Sequence, residues 1–381
     1  MKRLIHPWVN VLILGILVLI LIPVTILADG GPGHRVDQPF PVQLGTSGGN
    51  INDISKGFCY GGTLGALVQD TAGMKYILSN NHVLARTNQA SNGEDIIQPG
   101  LIDQVPTCAK DANDAVADLS AFIPILFKSK KTYPTNTVDA AIAQVRQGAV
   151  DPSGSILDIG VIDSATLAPS LDLAVKKSGR TSGLTSGTIS AVNVTVDVSY
   201  GGGKTARFGN QIFVTPGSFI AGGDSGSLMV EDVATAPRAV GLLFAGSSSI
   251  AVANPIDPVL SAFGVSMVGS PYSASLLSRT IAFVKKLFRV TESHAASQQL
   301  PGHVSPAAVD AVKRVKERHE SRLLGIPGVV GVGVGLSKRI AGQAVIEVYV
   351  KESPGALKRA IPSSLDGVEV DIVETGEIIA Y

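Results

Sequence analysis

Pro216-Gly-Ser-Phe-Ile-Ala-Gly-Gly-Asp-Ser-Gly-Ser-Leu228 is a glycine-rich turn that presents one serine, Ser225, immediately before a short apolar run. Such a turn can leave successive backbone N–H groups pointing into one concavity, as a developing oxyanion requires. Gly223 and Ser225 would supply those donors. Taken alone, the stretch is also an ordinary Gly/Asp/Ser turn. A serine hydroxyl is a weak nucleophile at neutral pH, so a catalytic reading needs a histidine base and a carboxylate to orient it.

Working outward, Tyr76-Ile-Leu-Ser-Asn-Asn-His82-Val-Leu-Ala is an apolar strand running into a turn that carries a histidine. Of the six histidines, only His82 and the N-terminal His6 adjoin strongly apolar segments, which makes His82 the candidate base. Thr137-Val-Asp139-Ala-Ala-Ile-Ala opens an apolar strand with an aspartate. A carboxylate so close to an interior is costly unless paired, and an imidazole N–H would pair it. Asp114 and Asp118 sit in similar apolar settings, and local sequence does not rank the three.

Between Cys59 and about Asn254 the chain is a series of short Val-, Ile-, Thr- and Ala-rich runs punctuated by Gly, Asn, Asp and Pro, the pattern of an all-β barrel or sandwich. Expected strands are 61–68, 75–78, 116–123, 140–145, 186–199, 206–214, 227–231 and 239–244, with a short helix opening at Pro255 and closing the domain near Val268. Leu277, Ile281, Val284 and Phe288 then form one helical stripe with basic residues off it, a surface for packing or for a membrane. A linker over 291–305 leads to a charged helix at 306–324, strands at 329–336 and 344–351, a short helix near 354–359 and final strands at 368–373 and 377–381. That order predicts a small α+β unit with no catalytic pattern. Gly331-Val-Gly-Val-Gly335 lacks dinucleotide-turn spacing and reads as close packing within a strand, while Gly203-Lys204-Thr205 lacks the earlier glycine of a phosphate loop.

The composition, 45% apolar and 16% charged, suits a packed globular chain, and equal acidic and basic totals of 31 exclude a global field for nucleic acid. Lys2 and Arg3 precede an apolar run from Trp8 to Ala28, so the protein is expected to be exported, either with a cleaved signal or anchored to a membrane by residues 8–28. Export would let Cys59 and Cys108, the two cysteines present, form a disulfide, although two buried thiols are the alternative. No histidine or cysteine spacing suggests a zinc site.

Cys59-Tyr-Gly-Gly-Thr-Leu with Leu78-Ser-Asn-Asn-His82, then Val138-Asp139-Ala-Ala-Ile-Ala, then Gly223-Asp224-Ser225-Gly-Ser-Leu resemble the three signature segments of the trypsin-like peptidases, in order. His82 precedes Asp139 by 57 residues and Asp139 precedes Ser225 by 86, spacings that fit the two six-stranded barrels and intervening cleft the resemblance implies. The resemblance covers about 42–268 and implies a mainly β, chymotrypsin-like double β-barrel that hydrolyses peptide bonds through an acyl-enzyme. His82, Asp139 and Ser225 would be its triad and Gly223 and Ser225 its oxyanion hole, with a protein or peptide substrate and no cofactor or metal. Gly241-Leu-Leu-Phe-Ala-Gly246 resembles the strand lining the substrate cleft, so Phe219, Phe244 and Gly246 would shape the specificity pocket. Lys177-Ser-Gly-Arg-Thr-Ser-Gly-Leu-Thr-Ser-Gly187 and Arg318-His-Glu-Ser-Arg-Leu-Leu-Gly-Ile-Pro-Gly-Val-Val-Gly-Val-Gly-Val-Gly335 are similar to a divergent branch found in bacteria and in plant narrow-leaf proteins. Phe219 stands where trypsin carries an acidic residue, so a basic preference is not implied. Phe244 and Ala245 replace the usual serine and tryptophan, which leaves the backbone pairing of substrate open. With no activation site leading to an Ile-Val terminus, Asp224 should pair with something other than a new amino terminus. The expected division is 1–28 leader, 42–268 peptidase, 269–304 helix and linker, and 305–381 accessory domain. The alternative function is a catalytically inactive binding or scaffold protein acting through that last domain.

Overall fold

The computed structural model describes residues 32–55, 57–270, 304–352, 355, 357 and 359–381. The expected leader, the amphipathic stripe at 277–288 and half of the short helix near 354–359 lie outside the described residues. Among the described residues, no helix is long and apolar enough to cross a membrane.

Aliphatic runs form strands here because branched side chains pack well on a pleated surface. Seven strand segments close the first barrel. Thr46–Asn50 pairs with Gly62–Leu64 and Asp95–Ile97, which leads through Ala115–Phe122, Ala141–Val145 and Lys75–Ser79 back to Ala66–Gln69. The single strand expected at 61–68 is two segments bent at Gly65, where a side chain would collide with the Gly226 carbonyl oxygen. That bend both closes the barrel and seats it against the serine turn. Leu64, Val68, Ile77, Val116 and Ile142 are among the side chains filling it. Cys59 and Cys108 are joined as a disulfide beside Ile97 and Leu101.

The second barrel closes in the order Ala174–Gly179, Leu228–Glu231, Ala239–Gly246, Ala251–Pro255, Thr205–Thr215 and Gly183–Ser199, the last pairing back to the first. Gly201, Gly202 and Gly203 all take positive φ in the hairpin between its two long strands, which accounts for the lysine and threonine that mimic a phosphate loop. The strands Thr46–Asn50, Asp95–Ile97, Ala174–Gly179 and Ala251–Pro255 are absent from the sequence-based expectation. Their Gly, Asn, Asp and Lys content hides the apolar alternation.

The C-terminal unit continues the second sheet. Val329–Leu336 pairs antiparallel with Gly183–Ser199, and Ala344–Val350, Val368–Glu374 and Ser364–Leu365 extend it outward. Gly333 permits this approach, since a Cβ there would lie 2.7 Å from the Val194 side chain. Helix Pro306–Leu324, capped by the Ser305 side chain accepting from the Ala308 N–H, buries Val312, Val315 and Leu323 in one core with Ile212, Val214 and Val240 of the barrel.

Candidate active site

Strand register decides which carboxylate meets the histidine. His82 lies in the short helical turn Asn81–Leu84 that follows Lys75–Ser79, and Asp139 lies just before Ala141–Val145, whose Ala141 is the partner of Ser79. His82 Nδ1 is 2.6 Å from Asp139 Oδ2, and the His82 backbone N–H donates to Oδ1 at 3.3 Å. Asp139 is fully buried, and its backbone is held by Asn80 and Asn254. The rival aspartates are engaged elsewhere, Asp114 by Gln104 and Asp118 by Arg146.

Tyr200, at the end of the glycine hairpin, donates its hydroxyl to Asp139 Oδ2 at 2.7 Å and sets its ring edge-on to His82, 5.9 Å between centroids. Sequence reasoning missed it, since one tyrosine before three glycines reads as a turn residue. Burial disfavours the His82 imidazolium. The charge and hydrogen bond of Asp139, the Tyr381 carbonyl and the charge of Asp53 outweigh that cost and raise its pKa above the ordinary histidine value. Asp53 faces His82 across a cleft of about 340 Å³ that Tyr60, Arg86 and Tyr200 also line. Burial pushes the Asp53 carboxyl up to about 6, with Arg86 and His82 opposing.

Ser225 sits on the second barrel, its carbonyl accepting from the Thr63 N–H of the first at 2.8 Å. Its hydroxyl donates to the Phe244 carbonyl at 3.1 Å, while His82 Nε2 lies 2.9 Å from the Tyr381 carbonyl oxygen. The Gly223 and Ser225 N–H groups have no acceptor among the described residues. Gly223 needs its glycine, with φ at 96°. The preceding Gly222 carbonyl accepts from Thr181 Oγ1 at 2.6 Å. In a trans peptide the next N–H points the opposite way, so Thr181 turns the Gly223 donor away from itself.

Asp224 is fully buried and pairs with the equally buried Lys177, Nζ to Oδ2 at 3.1 Å. Ser182 Oγ and the N–H groups of Thr181, Ser182 and Ala221 also donate to it. Burial penalises its charge, but Lys177 and these donors prevail and hold the carboxyl below the usual aspartate value. The partner of Asp224 is therefore an internal lysine, within a segment that sequence reasoning noted without giving Lys177 a role.

Of the three expected pocket residues, Gly246 faces the cleft, and a Cβ on it would lie 3.0 Å from the Tyr381 ring. The Phe244 ring is fully buried against Phe208, so Phe244 reaches the cleft through its carbonyl alone. Phe219 is likewise fully buried, in the cluster against which Tyr381 packs.

Two closed barrels with a His–Asp pair on one and a glycine-flanked serine on the other constitute a chymotrypsin-like double β-barrel. Glutamyl endopeptidase 2 of Streptomyces griseus is 34% identical over 143 residues, which are 36% of this chain and 69% of that protein. The chain belongs to this family of serine endopeptidases of the chymotrypsin fold. No family model matches it. Similar solved structures include a glutamic-acid-specific serine protease described as using a histidine triad in substrate binding (TM-score 0.41, 24% identity, 59% of this chain and all of that one). Thermobifida fusca Protease A is another (TM-score 0.40, 18% identity, 60% and 99% of the two chains).

Proposed function

We propose that the protein cleaves protein or peptide substrates through an acyl-enzyme formed on Ser225. His82 takes the serine proton and returns it to the leaving amine, Asp139 holds the imidazole tautomer, and the Gly223 and Ser225 amides receive the oxyanion. The observation that carries this reading is the 2.6 Å His82–Asp139 contact, together with Gly223 and Ser225 amides that have no acceptor among the described residues. In mechanism, Asp139 carries the cost of burial because its negative charge stabilises the imidazolium as it forms. Tyr200 supplies a further donor to that carboxylate. Asp224 braces the oxyanion turn from behind, with Lys177 as its counter-ion, so the turn is built without a freed amino terminus.

Lys2, Arg3 and the apolar 8–28 run support export, by cleavage or with a membrane anchor. A glutamyl preference, as in the name of the Streptomyces griseus relative, finds little to bind a carboxylate here. Gly222 and Gly246 flank the Tyr381 ring, which packs on the apolar cluster holding Ile220, and the nearby Arg180 guanidinium is held by Asp103 at 2.5 and 2.8 Å.

A fluorophosphonate probe tests the peptidase reading on folded protein. Covalent labelling at Ser225, abolished in Ser225→Ala and in His82→Ala, is expected. Native protein that never labels, even after the C-terminal change described below, would favour the inactive scaffold instead.

A further inference from the structure

The last residues of the chain run into the cleft as a strand. The Ser199 N–H donates to the Ile378 carbonyl at 2.9 Å. Ile379–Ala380 then pairs antiparallel with Ala239–Gly246, Ile379 opposite Gly246 and Ala380 opposite Ala245. The Tyr381 N–H reaches the Phe244 carbonyl at 3.4 Å, and the Tyr381 carbonyl oxygen lies 2.9 Å from His82 Nε2. The Tyr381 ring occupies a slot opened by two glycines, where a Cβ on Gly246 would approach it to 3.0 Å and one on Gly222 to 3.9 Å. It packs on the apolar cluster that contains Phe219 and Ile220.

A peptide attacked by Ser225 has to lie in the same way. It adds a strand along the cleft edge and inserts one side chain beside the serine turn, but its carbonyl oxygen turns to the Gly223 and Ser225 amides, whereas the tail turns the Tyr381 oxygen to His82. The tail therefore maps the acyl-side subsites of this chain: Tyr381 in the primary pocket, Ala380 next, and Ile379 beyond it, 40% exposed. Glycines on the slot walls and apolar residues around it fit a flat aromatic ring, and the nearby Arg180 guanidinium is already held by Asp103. Ala380 is half-buried against the cluster holding Phe208 and Phe244, so the neighbouring subsite suits a small residue.

The same placement stops the chemistry. With Nδ1 donating to Asp139 and Nε2 facing a carbonyl oxygen, both His82 nitrogens confront acceptors, which calls for the imidazolium, and an imidazolium takes no proton from serine. The Ser225 hydroxyl is turned to the Phe244 carbonyl.

We propose that Ile379-Ala380-Tyr381 is a built-in occupant of the substrate cleft that holds the enzyme inactive, and that the pocket it fills selects an aromatic residue on the acyl side of the scissile bond. This rests on the peptidase reading above. A free tripeptide would bind weakly, but tethering supplies an effective concentration in the millimolar range, so a site affinity of about 0.1 mM keeps roughly nine-tenths of molecules closed. Removing the tail should then raise activity about tenfold or more.

The test compares three proteins: the full chain, the chain lacking residues 379–381, and the full chain carrying Tyr381→Asp, which keeps the strand but empties the pocket. Each is assayed for fluorophosphonate labelling rate and for turnover of acetyl-Ile-Ala-Tyr-coumarylamide and its Glu and Lys counterparts, with thermal melting to establish folding. Both altered proteins should label and turn over the Tyr substrate about tenfold or more faster than the full chain, with Tyr preferred to Glu and Lys. If the truncated chain does not fold, Tyr381→Asp carries the comparison. Equal rates for the full chain and the folded variants overturn the occupant. Faster turnover of the Glu or Lys substrate overturns the aromatic pocket. Folded proteins that all fail to label bring down the peptidase reading and the occupant with it.

Discussion

Asp139 Oδ2 receives two short donors, His82 Nδ1 at 2.6 Å and the Tyr200 hydroxyl at 2.7 Å, and Tyr200→Phe separates their roles. Losing a hydrogen bond to a buried charge costs about 1.5–3 kcal/mol, so kcat/KM should fall about tenfold or more. The carboxylate then has His82 as its main remaining side-chain donor and favours the imidazolium more strongly. The acidic limb of the pH–rate profile should therefore move to higher pH. Asp53→Asn should move it the other way, because the Asp53 charge helps to raise His82. The same substitution has a stability signature. With its folded pKa raised from 3.8 to about 6, Asp53 contributes stability that is fully present below its unfolded value and lost as pH rises through about 6. Urea melts across that range should show a shallower decline in Asp53→Asn than in the parent.

At the scale of the element, the serine turn is held from behind by the ion pair of Lys177, on Ala174–Gly179, with Asp224. Lys177→Met strands a buried carboxylate and should destabilise the fold by roughly 3–5 kcal/mol. Because Asp224 accepts from Ala221, Thr181 and Ser182, freeing it also loosens the Gly222–Gly223 peptide. Fluorophosphonate labelling at a temperature where the variant remains folded should be at least tenfold slower. Equal labelling rates would show that the turn stands without its lysine.

Across the whole molecule, the C-terminal unit shares its sheet and its core with the second barrel. A chain ending at residue 303 would uncover the 191–196 edge of Gly183–Ser199 together with Ile212, Val214 and Val240. Exposed apolar edges associate, so this truncation should aggregate or melt well below the parent in size-exclusion and thermal measurements. Removal of 379–381 alone uncovers only the cleft. The unit that carries Tyr381 into the cleft thus also covers an edge and part of the core of the barrel, which couples the integrity of the fold to the state of the cleft.

Local features were legible in the chain itself. Helix Pro306–Leu324 and strand Val329–Leu336 have the bounds that their periodicity predicts, and the Ser225 turn and the His82 strand-to-turn step stand out because glycine placement and apolar runs act over a few residues. Asp139 stood level with Asp114 and Asp118 until the resemblance ranked it, and the register of Ala141 against Ser79 sets it beside His82. Tyr200, Lys177 and Tyr381 carried no local signal, being 61, 47 and 299 residues from the partners they meet. Side-chain periodicity reports which face of an element is buried, and only the pairing of distant strands reports what lies across it. The serine turn and the histidine step were therefore legible in the sequence alone. The hydroxyl on the carboxylate, the internal counter-ion and the strand that fills the cleft were decided by tertiary structure.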